Sequence, residues 1–322
     1  MIAEGPYFDE LSVGQVFDSA PGLTLTSGLA QAHRSILGER LALPLDDGLS
    51  ASVTGAPGLA SPALVWDVAI GQSTAATHHV KANLFYRGLV FHRAPHLGDT
   101  LRSRTEVVGL RQNRAREGRW PTGLAALRIT TADQRGEPVL DFWRCAMLPL
   151  RDPEAVTGHA DDLDAVGAAV SDASLAKVAE RWDLEPLRGP GAALTEGEVI
   201  EIGGGDVVSS APELARLTLN IAKVHHDAVA GGGTRLVYGG HTIGLALAQA
   251  TRALPGIATV TGWHSCDHLG PVVEGDTLRS ALTVERCEPT RGGRLVHLRS
   301  RVTADAPVPR DVLDWRFAAL VP

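Results

Sequence analysis

Two adjacent histidines, His225 and His226, with Asp227 after them and Asn220 before them, are the side chains in this 322-residue chain best placed for proton chemistry. A histidine titrates near neutral pH and can take a proton from water. An amide such as Asn220 can orient water but cannot transfer a proton at neutral pH. Three glycines, Gly231, Gly232 and Gly233, read as a flexible hinge, and an apolar run then ends in Tyr238, Gly239 and Gly240. The residues Ile243-Gly244-Leu245-Ala246-Leu247-Ala248 have the small, aliphatic composition of a buried helix, whose first turn would fall at 239–241. The exposed N–H groups and positive dipole end of such a helix attract developing negative charge. The stretch 219–250 thus offers an activated water one short loop away from an oxyanion trap.

The rest of the chain must position that stretch, and its composition narrows the options. The length allows two ordinary domains, and 44% hydrophobic residues read as globular and soluble. A net charge of −7 without a Lys/Arg cluster argues against nucleic acid as a partner. No apolar run reaches the roughly 18 residues that span a bilayer, and no signal peptide is visible, so the expected compartment is the cytoplasm. Cys145, Cys266 and Cys287 lack the number and spacing of a disulfide framework, and packing is their expected role.

An internal repeat sets the architecture. Gly98-Asp99-Thr100-Leu101-Arg102-Ser103 recurs letter for letter as Gly275-Asp276-Thr277-Leu278-Arg279-Ser280. Val139-Leu140-Asp141-Phe142-Trp143 matches Val312-Leu313-Asp314-Trp315, and Leu11-Ser12-Val13-Gly14-Gln15-Val16 resembles Leu194-Thr195-Glu196-Gly197-Glu198-Val199. Three matches in one order predict two copies of one fold, over 1–150 and 191–322, with a linker at 151–190 and a short helix around 173–182. Each copy reads as an entry turn, a polar segment, one apolar helix and then consecutive strands. The first copy's helix is expected at 61–73, capped by Ser61 with Pro62 at its first position, with strands at 79–92, 99–112, 122–134 and 138–149. The second copy gives a helix at 240–253 and strands at 257–266, 276–288, 293–304 and 311–321. A helix followed by strands joined by turns is an α+β pattern, a curled antiparallel sheet around a central helix.

These residues resemble the double-hotdog MaoC-like acyl-CoA dehydratases over nearly the whole chain. In that family's hydratase motif an Asp stands five residues before a His, an acidic residue two after it, and a Gly begins the hotdog helix. Here Asn220, His225, Asp227 and Gly240 fall at those places. The segments RLVYGGHTIGLA, VHHD and WHSCDHLGPVVEGDTL are further similar to mesaconyl-CoA hydratases, also called β-methylmalyl-CoA dehydratases. The resemblance implies two tandem hotdog folds and reversible hydration of a short-chain enoyl-CoA, with no cofactor or metal beyond the CoA of the substrate. His225 would be the base, Asn220 a water holder where the family has an acid, and the Gly240 N–H the oxyanion donor. In the first copy Glu39 falls against Asn220, Pro44 against His225 and Asp46 against Asp227. The histidine is lost there, so one active site per chain is expected, built from the second copy, and the resemblance implies that the first copy, 1–150, is reshaped to accommodate the acyl chain and CoA.

Tyr238, Gly239, His241, His226, Asp227 and His264 are candidate substrate contacts, each with a plainer reading beside it. Tyr238 reads as core, His241 also as packing, the paired histidines also as a loop cap, and His264 and His268 as solvated loop residues. Asp67 inside an apolar helix needs a partner, because a buried lone carboxylate is costly. Arg111, Arg114, Arg116 and Arg119 suit CoA phosphates or a solvated hairpin face. A thioesterase on the same site, or a non-catalytic acyl-CoA-binding subunit, are the alternatives that Asn220 leaves open. The fused copies allow a monomeric chain, and exposed sheet edges allow a homodimer.

Overall fold

The computed structural model describes residues 4–167, 169–188, 194–305 and 308–322. The N-terminal half runs β1 (Val16–Phe17), β2 (Leu23–Thr24), α1 (Ser27–Leu37), α2 (Ala42–Leu45), α3 (Asp47–Thr54) and α4 (Pro62–Gln72), then β3 (Ala82–Phe91), β4 (Thr100–Gln112), β5 (Thr122–Ala132) and β6 (Pro138–Pro149). A connecting segment with α5 (Asp172–Ala176) leads to β7 (Val199–Glu201), β8 (Asp206–Val207), α6 (Ala211–Leu217) and α7 (Gly239–Ala253). Strands β9 (Thr259–His268), β10 (Thr277–Thr290), β11 (Gly293–Asp305) and β12 (Arg310–Val321) close the chain. The architecture is α+β, two tandem hotdog folds. The polar segment of the first copy proves helical, as α1 to α3. The helix expected at 173–182 is shorter, α5 followed by a 3-10 turn at Lys177–Ala179. Gly189-Pro190, which marks the end of the expected linker, lies outside the described residues.

The strands form one sheet in the order β1-β4-β5-β6-β3-β9-β12-β11-β10-β7, with β2 added to β4 and β8 to β10. The halves join where β3 pairs antiparallel with β9, from Phe85 opposite Asp267 to Val90 opposite Gly262. The inner face wraps α4 and α7. Every residue of α4 is buried, as its continuous apolar composition requires. Ser61 caps it by accepting the Ala63 N–H, and Pro62 occupies the first helical position, where no N–H is needed.

The repeat is legible in hydrogen bonds. The Gln72 side-chain amide donates to the Leu101 carbonyl at 2.9 Å, and Gln249 donates to Leu278 at the same distance. Both residues of the second pair lie 177 positions after those of the first (249 − 72 and 278 − 101), the same displacement as Gly275 from Gly98. Gly98 and Gly275 both turn the chain with φ near +97°, at 99° and 95°, a region that glycine enters without a steric cost. Trp66 of α4 meets Trp263 of β9 at 4.9 Å and Trp315 of β12 at 6.1 Å, mutually edge-on. Such aromatic pairs contribute about 0.5–1.5 kcal/mol each beyond the area they bury, here across the junction of the halves.

Candidate functional site

A cavity of about 350 Å³ opens where the N-terminus of α7, the loop before it and strands β3, β6 and β9 converge. Both halves line it. Asn220, His225, Leu236, Tyr238, Gly239, Thr242 and His268 come from the C-terminal half, and Ile70, Thr74, Lys81, Asn83, Tyr86 and Arg144 from the N-terminal half. The sequence reading builds the catalytic residues from the second copy and leaves the first to hold the acyl chain and CoA, without naming these cavity residues. The N-terminal lining residues themselves escaped the sequence because they sit in strand and helix positions that read as core.

His225 ends a 3-10 turn at Lys223–His225 and lines the cavity, half-buried. Its Nδ1–H donates to the Leu236 carbonyl at 2.9 Å, which fixes the tautomer and leaves the Nε2 lone pair free. Burial pushes the ring's pKa down to about 4, and the nearby His226 and Arg144 charges reinforce this against the Leu236 bond. The ring is therefore a neutral base at pH 7. Asn220 is buried and its Oδ1 accepts the Ala222 N–H at 3.0 Å, so the group it presents to the cavity is its Nδ2 amide. The loop is held under strain. Leu219 adopts φ +61°, the left-handed region that non-glycine residues rarely enter. Helix α4 presses on the same loop: a Cβ on Gly71 would lie 1.7 Å from the Thr218 carbonyl oxygen.

Helix α7 begins at Gly239 without a side-chain cap, so its first N–H groups are not consumed by a capping bond. Gly239 lines the cavity beside His268, whose Nε2 would lie 2.6 Å from an added Cβ. Gly240, the expected oxyanion donor, does not line it. The glycine there answers a different constraint: an added Cβ would lie 2.0 Å from Asp67 Oδ1 and 2.5 Å from the Tyr238 ring. Asp67, fully buried on α4, accepts the Tyr238 hydroxyl at 3.0 Å and pairs with His33 Nε2 at 2.9 Å. Burial pushes its carboxyl upward, and those two partners oppose the rise. The partner that Asp67 needs is thus supplied by the other half and by α1, and Tyr238 is both core and cavity wall.

The other expected contacts stand elsewhere. His226 turns from the cavity and its Nε2–H donates to the Asn220 carbonyl at 2.7 Å, bracing the loop from behind. Asp227 is exposed and accepts the Val229 N–H at 2.8 Å, closing a turn. That turn continues through Gly231 and Gly233, whose N–H groups donate to Asp227 and Ala228, so the glycines form a hydrogen-bonded turn rather than a hinge. His241 is fully buried behind the helix terminus with neither ring nitrogen partnered. Burial lowers its pKa to about 4. His264 lies on the sheet face that carries α5, its Nε2 2.8 Å from His297 Nδ1, away from the cavity. His268, which the sequence left as a solvated loop residue, is instead a second histidine that enters the cavity beside His225, with Nε2 unpartnered and a pKa lowered by burial to about 4. Its place at the end of β9 was the available signal.

Next to the cavity, and sharing Val80, Lys81 and Val224 with it, is a cleft of about 310 Å³ lined by Tyr7, Trp120, Arg151 and Lys223. A further cleft of about 620 Å³, with Leu84 in common with the cavity and Trp120 with the cleft, is lined by Arg114, Arg116 and Arg119. Arg111 is not among its lining residues. The indole of Trp120 is 58% exposed between these openings.

No protein-family model matches the chain. Among curated proteins it is 27% identical to a β-methylmalyl-CoA dehydratase of Chloroflexus aurantiacus, over 99% of this chain and 97% of that protein. It is 28% identical to a mesaconyl-CoA hydratase of Cereibacter sphaeroides, over 99% and 98%. Among solved structures, a conserved hypothetical protein of Mycobacterium tuberculosis, described as essential for survival during infection and as having a double hotdog fold, is 57% identical over 98% of both chains, with a TM-score of 0.93. A Chloroflexus aurantiacus protein named as a MaoC domain dehydratase is 26% identical over 99% and 97%, with a TM-score of 0.85. Repeat, fold and full-length similarity agree, and the chain belongs to the double-hotdog MaoC-like family.

Proposed function

We propose that the chain is a hydro-lyase that reversibly adds water to the double bond of a short-chain enoyl-CoA, with mesaconyl-CoA and β-methylmalyl-CoA as the favoured pair. The observation that carries this reading is the His225 ring, locked by Leu236 with Nε2 unbonded, in a cavity that also holds the uncapped start of α7. In hydration, Nε2 takes a proton from water as the oxygen bonds to the β-carbon. The double-bond electrons move onto the thioester oxygen, where the first N–H groups of α7, Gly239 foremost, stabilise the charge. One such donor is worth roughly 3–4 kcal/mol in the transition state. The His225 imidazolium then returns the proton to the α-carbon, because Asn220 cannot; the Asn220 amide holds the water by donating to its oxygen.

The CoA arm fits the same reading. A short acyl group suits a cavity of about 350 Å³. The clefts beyond Lys81 offer Trp120 for base stacking and Arg114, Arg116, Arg119, Arg151 and Lys223 for phosphates. The absence of the usual acid at Asn220 favours one competitor, thioester hydrolysis by the same base and oxyanion site. Mixing purified protein with mesaconyl-CoA and crotonyl-CoA while following the enoyl-thioester absorbance, with a thiol reagent in parallel, separates them. Loss of the band without free thiol is the expected result. Thiol release would establish the thioesterase, and silence in both channels together with thermal stabilisation by CoA esters would leave a binding protein.

A further inference from the structure

We infer that Arg144 is a specificity residue that receives a carboxylate on the substrate's acyl group, so that the site selects dicarboxylic over uncharged enoyl thioesters. This deepens the hydro-lyase reading above and rests on it. Arg144 is 3% exposed, yet it lines the cavity. Its guanidinium has no carboxylate partner: it donates to the Thr77 hydroxyl at 2.7 Å, the Ser73 carbonyl at 3.2 Å and Asn83 Oδ1 at 3.4 Å, and its Nε has no partner. Elsewhere in the sheet, the half-buried Arg87 is paired with Asp267, Arg286 with Asp172 and Glu288, and Arg299 with Asp314. The ionisable groups that raise the Arg144 pKa against its burial are Tyr86, Tyr238 and Cys145, all neutral at pH 7. A guanidinium buried among neutral oxygens carries a desolvation cost that a carboxylate offsets through paired, charge-assisted bonds. The cavity is the open direction from which such a group can arrive.

The position also suits the chemistry. In mesaconyl-CoA the carboxylate is attached to the carbon that receives water, so its receptor must share a cavity with the base. Arg144 and His225 do share one, and they are close enough for the arginine's charge to act on the ring. Tyr86, opposite Arg144 in the β3–β6 ladder, and His268 complete a polar wall on that side.

Two saturated thioesters that cannot be hydrated test the inference on the intact protein: 2-methylsuccinyl-CoA, and 2-methylbutyryl-CoA, in which methyl replaces the carboxylate. Titration calorimetry should show the carboxylated ester binding about tenfold tighter or more, the scale of a charge-assisted pair. In Arg144→Gln that preference should collapse to near parity, and Arg144→Lys should keep part of it. Equal binding by the wild-type protein overturns the inference whether or not the variants fold. If Arg144→Gln folds and keeps the full preference, the inference is likewise overturned. Preference for the carboxylated ester without turnover of any enoyl-CoA supports the role of Arg144 and removes the hydro-lyase reading. Hydration of crotonyl-CoA with no preference between the two analogues does the reverse.

Discussion

Gly71→Ala probes whether the N-terminal half sets the geometry of the proposed catalytic loop in the C-terminal half. In an ordinary helix interior the exchange would stabilise by about 1 kcal/mol, because alanine loses less backbone freedom on folding. Here the new Cβ would lie 1.7 Å from the Thr218 carbonyl oxygen, against 3.4 Å for ordinary contact, so helix and loop must separate by about 1.7 Å. Overpacking of this kind costs roughly 1–3 kcal/mol, which sets the net loss of stability at about 0–2 kcal/mol. The loop has little room to absorb the shift, since Leu219 is already in the left-handed region. Asn220 follows directly, and its own N–H lies 3.2 Å from the same Cβ position. A catalytic group misplaced by about 1 Å costs on the order of 100-fold in rate. Enoyl-band assays on the hydrated substrate should therefore show kcat/KM falling about 100-fold, while calorimetry shows a Tm lowered by only a few degrees. A folded variant within about threefold of wild-type kcat/KM would refute the coupling and leave Gly71 as a packing glycine.

Four further outcomes follow from the site. His225→Ala should lower kcat/KM by about 10²–10⁴, the usual worth of a general base, and Asn220→Ala by less; equal losses, or none for His225→Ala, contradict the assigned roles. Tyr238→Phe removes a donor from the buried Asp67 and should cost about 1–3 kcal/mol in urea unfolding, whereas an unchanged midpoint would show that the bond contributes nothing. Stability should fall as pH drops from about 6.5 towards 4. His225, His241 and His268 are held near 4 when folded, so the unfolded chain takes up their protons first. Each contributes a slope on the order of 1 kcal/mol per pH unit inside that window and nothing above it; acid unfolding without proton uptake there would count against buried neutral rings. For the same reason kcat/KM should not decline between pH 8 and pH 6 through loss of the base, and a titration of activity near pH 6.5 would place the His225 pKa far above about 4.

The strands, the two central helices and the repeat were readable because their signals are local. Alternation marks β4, β5, β6 and their counterparts, and Ser61-Pro62 marks the start of α4. The site was readable only where it is sequential: His225, Asn220, Tyr238 and Gly239 lie within one short stretch and do line one cavity. What was misread depends on which way a side chain faces after folding. His241 and His268 are both histidines near the helix terminus, yet helix phase turns the first into the core while β9 delivers the second to the cavity. His226 and Asp227 share the catalytic loop but spend their polar atoms on its backbone. Arg144 did carry a signal. It shares a strand face with Leu140 and Phe142, both buried, so a period-2 reading of β6 places a charge on the inward face, where none belongs without a ligand or partner.

On the proposed reading, one site per chain rests on three losses in the N-terminal half rather than one. Lining up the two polar segments sets Pro44 against His225, the proposed base. The displacement of 177 residues that relates Gln72 to Gln249 also sets Pro62 against Gly239, so the helix start that offers an N–H in one copy has none in the other. Ser61, against Tyr238, fills the cap instead, accepting the Ala63 N–H and donating to Glu39, the buried counterpart of Asn220, whose carboxyl is pushed upward by burial. The space itself is nearly closed, to about 10 Å³ lined by Leu59, Ala60 and Pro62. Leu43, Val53 and Leu59 join Leu184 and Leu320 in a core cluster beside it. Base, oxyanion donor and volume are all absent there. What the N-terminal half retains is its reach across the junction, where Asp67, Gly71 and Arg144 touch or line the site of the other copy. On the proposed reading, the N-terminal copy keeps no chemistry of its own and acts through the geometry and charge of its partner's site.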